Sequence, residues 1–118
     1  MIYTSGTLAL AALEYLVHVE PENAPDDLIA LTIEIPDSAD IETLSANRLP
    51  FGWHKTTDVA ACKASGDKWL ASGRSLVLRV PSAPIPSEYN YLINPAVAAM
   101  SSVKLAQKRR FTFDPRLV

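Results

Sequence analysis

Apolar residues recur along this chain with two different periods, and each period predicts a different element. Residues 8–20, LALAALEYLVHVE, are apolar around most of a helical circumference, the pattern of a helix buried among other elements. Thr7, Ala11, Glu14 and His18, three and four positions apart, form its only polar line because residues at that spacing stack along one helix face. Residues 28–35, LIALTIEI, switch to period two, with Ile29, Leu31, Ile33 and Ile35 on one face and Pro36 closing the run; this predicts a strand. Turn formers flank it, PENAPDD before and PDSAD after. A second strand is predicted over SLVLRV, residues 75–80, which runs into PSAPIPSE, where three prolines impose an irregular, extended path. Residues 103–113, VKLAQKRRFTF, alternate again and predict a last strand with Lys104, Lys108 and Arg110 on its polar face. Between these lies a helix through VAACKASGDKWLAS, with Thr57 or Asp58 as its N-cap and Gly73 where a left-handed C-terminal cap is common. Gly66 weakens that helix. Strands outnumber helices, and the class is α+β.

Composition adds limits to this outline. With 118 residues, 48% of them hydrophobic and no internal repeat, the chain has material for one core, and a single domain over residues 1–118 is expected. A formal net charge of −2 supplies no excess positive charge to hold the whole chain on nucleic acid or an anionic membrane, so any DNA contact needs a partner. The lone Cys62 excludes an intramolecular disulfide, and the two histidines, His18 and His54, leave no ligand set spaced for zinc, so no metal is expected. The apolar N-terminal run lacks a basic lead-in and is interrupted by Glu14 and His18, which argues against a secretion signal or a membrane span. A reducing cytoplasm fits best.

Two segments carry candidate chemistry. A glutamate on a nearly all-apolar helix must find donors, pair with a cation or take up a proton once water is removed. For Glu14 two readings stand: a structural pair with His18 at i, i+4, or a carboxylate of a functional site. The second segment is VPSAPIPSEYNYLINP, residues 80–95, where a strand end breaks into a proline-rich loop carrying Ser82, Asn90 and Asn94. Such hydroxyl and amide groups present fixed donors and acceptors to a ligand or satisfy the loop's own backbone. Lys108, Arg109 and Arg110 fit a solvated strand edge. No glycine-rich phosphate loop is present, since the four glycines have no nucleotide-binding spacing.

The ordered series IYTSGTLALAALEYLVHV, LTIEIPD, LPFGW, GDKWLASGRSLVLRVPSAPIPSEYNYLINP and FTFDPRL resembles the RES domain, the toxin component of bacterial type II RES–Xre toxin–antitoxin pairs. The resemblance covers essentially the whole chain, and the combination of LEYLVH, GDKWL, VPS with YLINP, and DPRL carries its specificity. It implies an ADP-ribosyltransferase-like RES fold, a small mixed sheet with flanking helices. It also implies attack on NAD as substrate, by hydrolysis or by transfer of ADP-ribose to a protein, and growth inhibition as the outcome. Glu14 and Ser82 match the glutamate and serine of the family's name, Tyr3 the tyrosine ahead of the helix, and His18 the histidine one turn after the glutamate. The implied catalytic residues are Glu14, Tyr3 and Ser82, with His18, Asn90 and Asn94 binding the nucleotide. The implied partner is an Xre-family helix-turn-helix antitoxin, through which alone the toxin meets DNA.

This sequence departs from the family pattern in two places. A strand and a glycine-rich arginine segment normally precede the tyrosine, whereas here Met1 lies two residues before Tyr3; Arg79 and Arg74 are the first candidates for the missing arginine's task. The loop continues as INPAVAAM, where the family often has histidine and proline after the asparagine-proline pair. The chain is therefore expected to be either an active NAD-consuming toxin or a catalytically weakened RES remnant that binds an antitoxin. An open sheet edge at Ile2 and Tyr3 is expected to favour a homo-oligomer.

Overall fold

The computed structural model describes residues 1–49, 53 and 60–117. Six strands and two α-helices lie among the described residues: β1 (Ile2–Ser5), α1 (Leu8–Leu16), β2 (Ile29–Glu34), β3 (Ile41–Thr43), α2 (Ala60–Ser72), β4 (Val77–Pro81), β5 (Tyr89–Ile93) and β6 (Lys104–Arg110). Four strands form one mixed sheet in the order β1-β5-β4-β3, and β2 and β6 form a separate two-stranded ribbon. In the larger sheet β5 runs antiparallel to both β1 and β4, whereas β3 and β4 are parallel. The expected α+β class, a small mixed sheet with helices, is the architecture observed.

The two central strands carry apolar residues on both faces, and both faces are packed against core residues. On one face Trp69 of α2 packs with Leu78 of β4 and Leu92 of β5, flanked by Met1, Leu44, Leu70 and Val80. On the other, Leu76, Val77 and Ile93 pack with Ile2, Ile33, Ile35, Tyr91, Val97, Met100 and Val103. Strand alternation separates the two sets, since neighbouring side chains point to opposite faces. Burial on both sides explains why the β4 segment opens on the apolar run Leu76, Val77 and Leu78 rather than alternating, before Arg79 interrupts it. The predicted strand over 75–80 begins two residues later than expected. The buried hydroxyl of Ser75, just outside the strand, accepts from Trp69 Nε1 at 2.8 Å and donates to Glu42 Oε2 at 2.7 Å. Glu42 also pairs with Arg74 Nη2 at 3.1 Å. The segment GDKWLASGRS thus fastens α2 to β3 through a tryptophan, a serine and a glutamate.

Three local expectations are met at α2 and β2. Gly73 has φ of 60°, the left-handed geometry that ends a helix. Pro36 follows the β2 segment and Ile33 and Ile35 reach the core. The α2 helix runs unbroken through Gly66, which is buried, and a Cβ there would meet only Met1 Cε, at 3.9 Å. The proposed caps Thr57 and Asp58, His54, and LPFGW apart from Leu49 and Trp53 lie outside the described residues.

Other expectations need correction. The helix predicted over 8–20 spans only Leu8–Leu16, and Leu10 is its one buried residue; Leu8, Leu13 and Val17 are 39%, 42% and 59% exposed. It lies against the edge strand β1 rather than between layers, so among the described residues one side alone is covered. Thr7, placed on the polar line of the helix, is its N-cap, with the hydroxyl accepting from Leu10 N at 3.1 Å. In β2 the four isoleucine and leucine positions do not share one fate. Ile29 and Leu31 are 49% and 55% exposed because, among the described residues, β2 joins only β6, so half of the ribbon extends beyond the core. A register shift between Thr32 and Ile33, opposite Ala106, breaks the expected alternation of β6, whose residues are all exposed. Beyond the strand, Phe113 stacks on Tyr15 of α1 with centroids 5.7 Å apart and meets Phe111 edge-on at 5.0 Å. The DPRL segment closes on itself: Arg116 donates to both oxygens of the Asp114 carboxylate through Nε and to Oδ2 through Nη2, and its backbone N–H donates to Oδ1. These contacts hold the Asp114 carboxyl below its ordinary range and raise the Arg116 guanidinium.

Candidate active site

Three chain segments meet where β1 turns into α1. Ser5 is the last residue of β1 and lies in register with Asn90 of β5, which in turn lies opposite Val80 of β4. Ser82 follows β4 immediately. With period-two alternation, Tyr3, Ser5, Asn90, Val80 and Ser82 fall on the sheet face that also carries Leu78 and Leu92. Thr7 caps α1 two residues after β1 ends, so the helix starts close to the strand and Glu14 comes over this face two turns later.

The carboxylate of Glu14 is held by neutral donors. Ser82 Oγ donates to Glu14 Oε1 at 2.7 Å, and Asn90 Nδ2 donates to the same oxygen at 3.0 Å. Ser5 Oγ donates to Asn90 Oδ1 at 2.7 Å, completing the amide. Ser82 is fully buried; its hydroxyl accepts from Ile85 N at 3.2 Å, and its backbone N–H donates to Glu88 O at 2.8 Å. The proline-rich loop between β4 and β5 is therefore closed on itself and aims the Ser82 proton at Glu14. Among the described residues neither Glu14 Oε2 accepts a hydrogen bond nor any cation pairs with the carboxylate. Glu14 is half-buried. A carboxylate anchored through one oxygen, with the other free of partners among the described residues, can accept donors or pair with positive charge.

The remaining candidates divide into exposed and structural groups. Tyr3 is 74% exposed on the same sheet face as Ser5. His18 is exposed and lies past the end of α1, where its backbone N–H bonds Tyr15 O at 3.1 Å; its imidazole makes no hydrogen bond or ion pair among the described residues. Of the two readings of Glu14, the pair with His18 is not formed among the described residues, because Glu14 turns to Ser82 and Asn90. Asn94 is buried and committed at both ends, Nδ2 donating to Leu70 O at 3.1 Å and Oδ1 accepting from Ala96 N at 3.0 Å. It lies four residues, about 13 Å, along the chain direction from Asn90, where it ties the end of β5 to α2. Arg74 is paired with Glu42. Arg79 points to the other face of the sheet, its guanidinium 4.6 Å from the Tyr89 ring centroid and its Nε donating to Thr43 Oγ1 at 3.2 Å. Neither arginine joins the Glu14 group. No cluster of three histidine, cysteine, aspartate or glutamate side chains suited to a metal occurs among the described residues. Ser5 was not among the residues singled out from the sequence. Its signal was present, two positions after Tyr3 on a short strand, but its role depends on which strand pairs with it.

Two helices and a small mixed sheet among the described residues give an α+β architecture, and that of the RES domain is ADP-ribosyltransferase-like. The family model described as RES domain matches residues 1–114, and the chain belongs to the RES domain family. It is 33% identical over 120 residues to a protein named Prs ADP-ribosylating toxin from a Sphingobium species, covering 100% of this chain and 74% of that one. It is also 36% identical over 117 residues to a protein named Toxin Res from Yersinia enterocolitica, covering 98% and 76% of the two chains. A Toxin Res from Pseudomonas putida is 37% identical over 119 residues, covering 99% and 79%.

Proposed function

We propose that this chain is a single RES domain acting as the toxin of a bacterial type II toxin–antitoxin pair, and that it consumes NAD by cleaving the bond between nicotinamide and ribose. The observation that carries this reading is the Glu14 carboxylate, fixed through Oε1 by Ser82 and Asn90 and with Oε2 free of partners among the described residues. In the proposed reaction the glycosidic C–N bond breaks, nicotinamide leaves with the electron pair as a neutral molecule, and positive charge develops on the ribose. No acid is needed at the leaving group. An acceptor oxygen or other nucleophile then bonds to the ribose carbon and gives up its proton. Glu14 stabilises the cation-like transition state or holds the ribose hydroxyls. Tyr3, exposed beside this site, stacks on the nicotinamide or orients the ribose.

Ser82 takes a narrower role than direct contact with substrate. Its proton goes to Glu14, one of its lone pairs accepts from Ile85 N, and the side chain is fully buried, so it positions the carboxylate. Asn90 shares that task, His18 is available to bind nucleotide from the exposed turn after α1, and Asn94 supports the site by bracing β5 on α2. Names of the relatives support the toxin reading, and that of the Sphingobium protein, an ADP-ribosylating toxin, supports ADP-ribose transfer over hydrolysis alone. An Xre-family antitoxin is the proposed partner and the cytoplasm the proposed location; no helix among the described residues is long and apolar enough to cross a membrane.

The test incubates the purified chain with NAD and follows nicotinamide release and free ADP-ribose separately. Nicotinamide release that exceeds free ADP-ribose in the presence of protein acceptor identifies transfer, and equality identifies hydrolysis. Glu14→Gln removes the charge while keeping the shape, and the expected loss is about 10²-fold or more, the scale of a lost transition-state electrostatic contact. Undiminished turnover by Glu14→Gln sinks the assignment.

A further inference from the structure

We propose that Ser5 is a positioning residue of the Glu14 site, acting through the side-chain amide of Asn90. The inference rests on the reading of Glu14 as the carboxylate that meets the ribose. A carboxylate accepts hydrogen bonds and donates none, so the end of the Asn90 amide that faces Glu14 Oε1 at 3.0 Å must be the NH₂ group. That orientation turns Oδ1 towards β1, where only a donor satisfies it. Ser5 Oγ supplies the donor at 2.7 Å, from the residue in direct register with Asn90. The amide is half-buried, as is Ser5, so water competes poorly for Oδ1. Loss of the Ser5 hydroxyl leaves this oxygen without its protein donor and releases the rotation that holds Nδ2 on Glu14.

The geometry also explains why one carboxylate oxygen is kept free. Ser82 and Asn90 converge on Oε1 from opposite chain segments, the loop after β4 and the strand β5. Two donors on a single oxygen restrain the carboxylate and leave Oε2 without a hydrogen-bond partner among the described residues. Asn90 holds this arrangement only while its amide keeps one orientation, and Ser5 sets that orientation. A serine at the strand end is the economical donor, because its single rotor reaches the cross-strand partner without leaving the sheet.

The experiment compares Ser5→Ala and Ser5→Thr with the unaltered chain, each also in an Asn90→Ala background. The first readout is hydrogen exchange of the Asn90 side-chain amide protons by NMR, which needs no substrate. Exchange should rise in Ser5→Ala by roughly three- to tenfold, the equivalent of one neutral hydrogen bond, and return in Ser5→Thr, which restores the hydroxyl. The second readout is NAD turnover: kcat should fall by a similar roughly three- to tenfold with KM unchanged, and Ser5→Ala should add nothing once Asn90 is alanine. An unaltered Asn90 exchange rate in Ser5→Ala, failure of threonine to restore it, or an equal further loss in the Asn90→Ala background overturns the proposal. If the exchange result appears as expected while the unaltered chain leaves NAD intact, the Ser5 assignment stands and the NAD reading falls.

Discussion

Ser82 Oγ lies 2.7 Å from Glu14 Oε1 although 68 positions separate the two residues in the chain. The serine is fully buried and the carboxylate only partly so, which makes this bond a fixed bracket behind a group that still reaches solvent. Replacing Ser82 by alanine removes the bracket and the partner of Ile85 N together. Turnover of NAD should fall about tenfold, corresponding to about 1.5 kcal/mol, the lower end for a hydrogen bond to a charged group, because Glu14 keeps its bond from Asn90. Steady-state kinetics on Ser82→Ala measure it, and a loss as large as that of Glu14→Gln would give the hydroxyl a direct role in the chemistry.

Asn90→Asp separates shape from charge. The substitution is nearly isosteric, but it places a second carboxylate where Nδ2 now sits 3.0 Å from Glu14 Oε1, and like charges at that separation repel. Asn90→Asp should therefore lose more activity than Asn90→Ala, which removes the donor without adding charge. Equal activities of the two variants would show that the donor alone matters.

The bracket between α2 and β3 governs stability rather than catalysis. Trp69→Phe keeps most of the buried ring but deletes the Nε1 donor to Ser75, with an expected cost of about 1–3 kcal/mol when a buried group loses its partner. Arg74→Ala, by contrast, removes an ion pair whose side chains are 66% and 37% exposed, worth about 0–1 kcal/mol. Urea denaturation of both variants ranks them. A larger effect at Arg74 would mean that the salt bridge, not the tryptophan, secures the helix.

The partner proposal makes a prediction about DNA. The net charge of −2 gives the isolated chain little to release counterions with, whereas an Xre-type antitoxin supplies a helix-turn-helix reader. Titration of operator DNA should show salt-dependent binding by the complex and none by this chain alone. Tight binding by the isolated chain would refute the assignment of DNA recognition to the partner.

A final prediction concerns assembly. β1 pairs only with β5 among the described residues and so forms one edge of the four-stranded sheet, and an exposed edge recruits further strands. Sedimentation of the 118-residue chain should show concentration-dependent self-association, relieved by an antitoxin that covers β1. A monomer at every concentration would mean that this edge is protected.

What the sequence alone determined is the local material. Alternation and apolar runs marked the β2 and β4 segments, Gly73 marked the end of α2, and a glutamate within LALAALEYLVH stood out because burying it unpaired is costly. The RES resemblance drew Glu14 and Ser82 into one site before any contact was visible. Tertiary structure decided which donors reach the carboxylate. Asn90 is 76 positions from Glu14 and 85 from Ser5, and only the register of β1 on β5 makes the three neighbours. Register is a non-local choice, set by which faces are buried together, and a shift of one residue would send Ser5 or Asn90 to the opposite face. The same reason accounts for the exposed Ile29 and Leu31 and for the open side of α1. Their periodicity states that a face is apolar, but whether another layer arrives to cover it depends on how the whole chain packs.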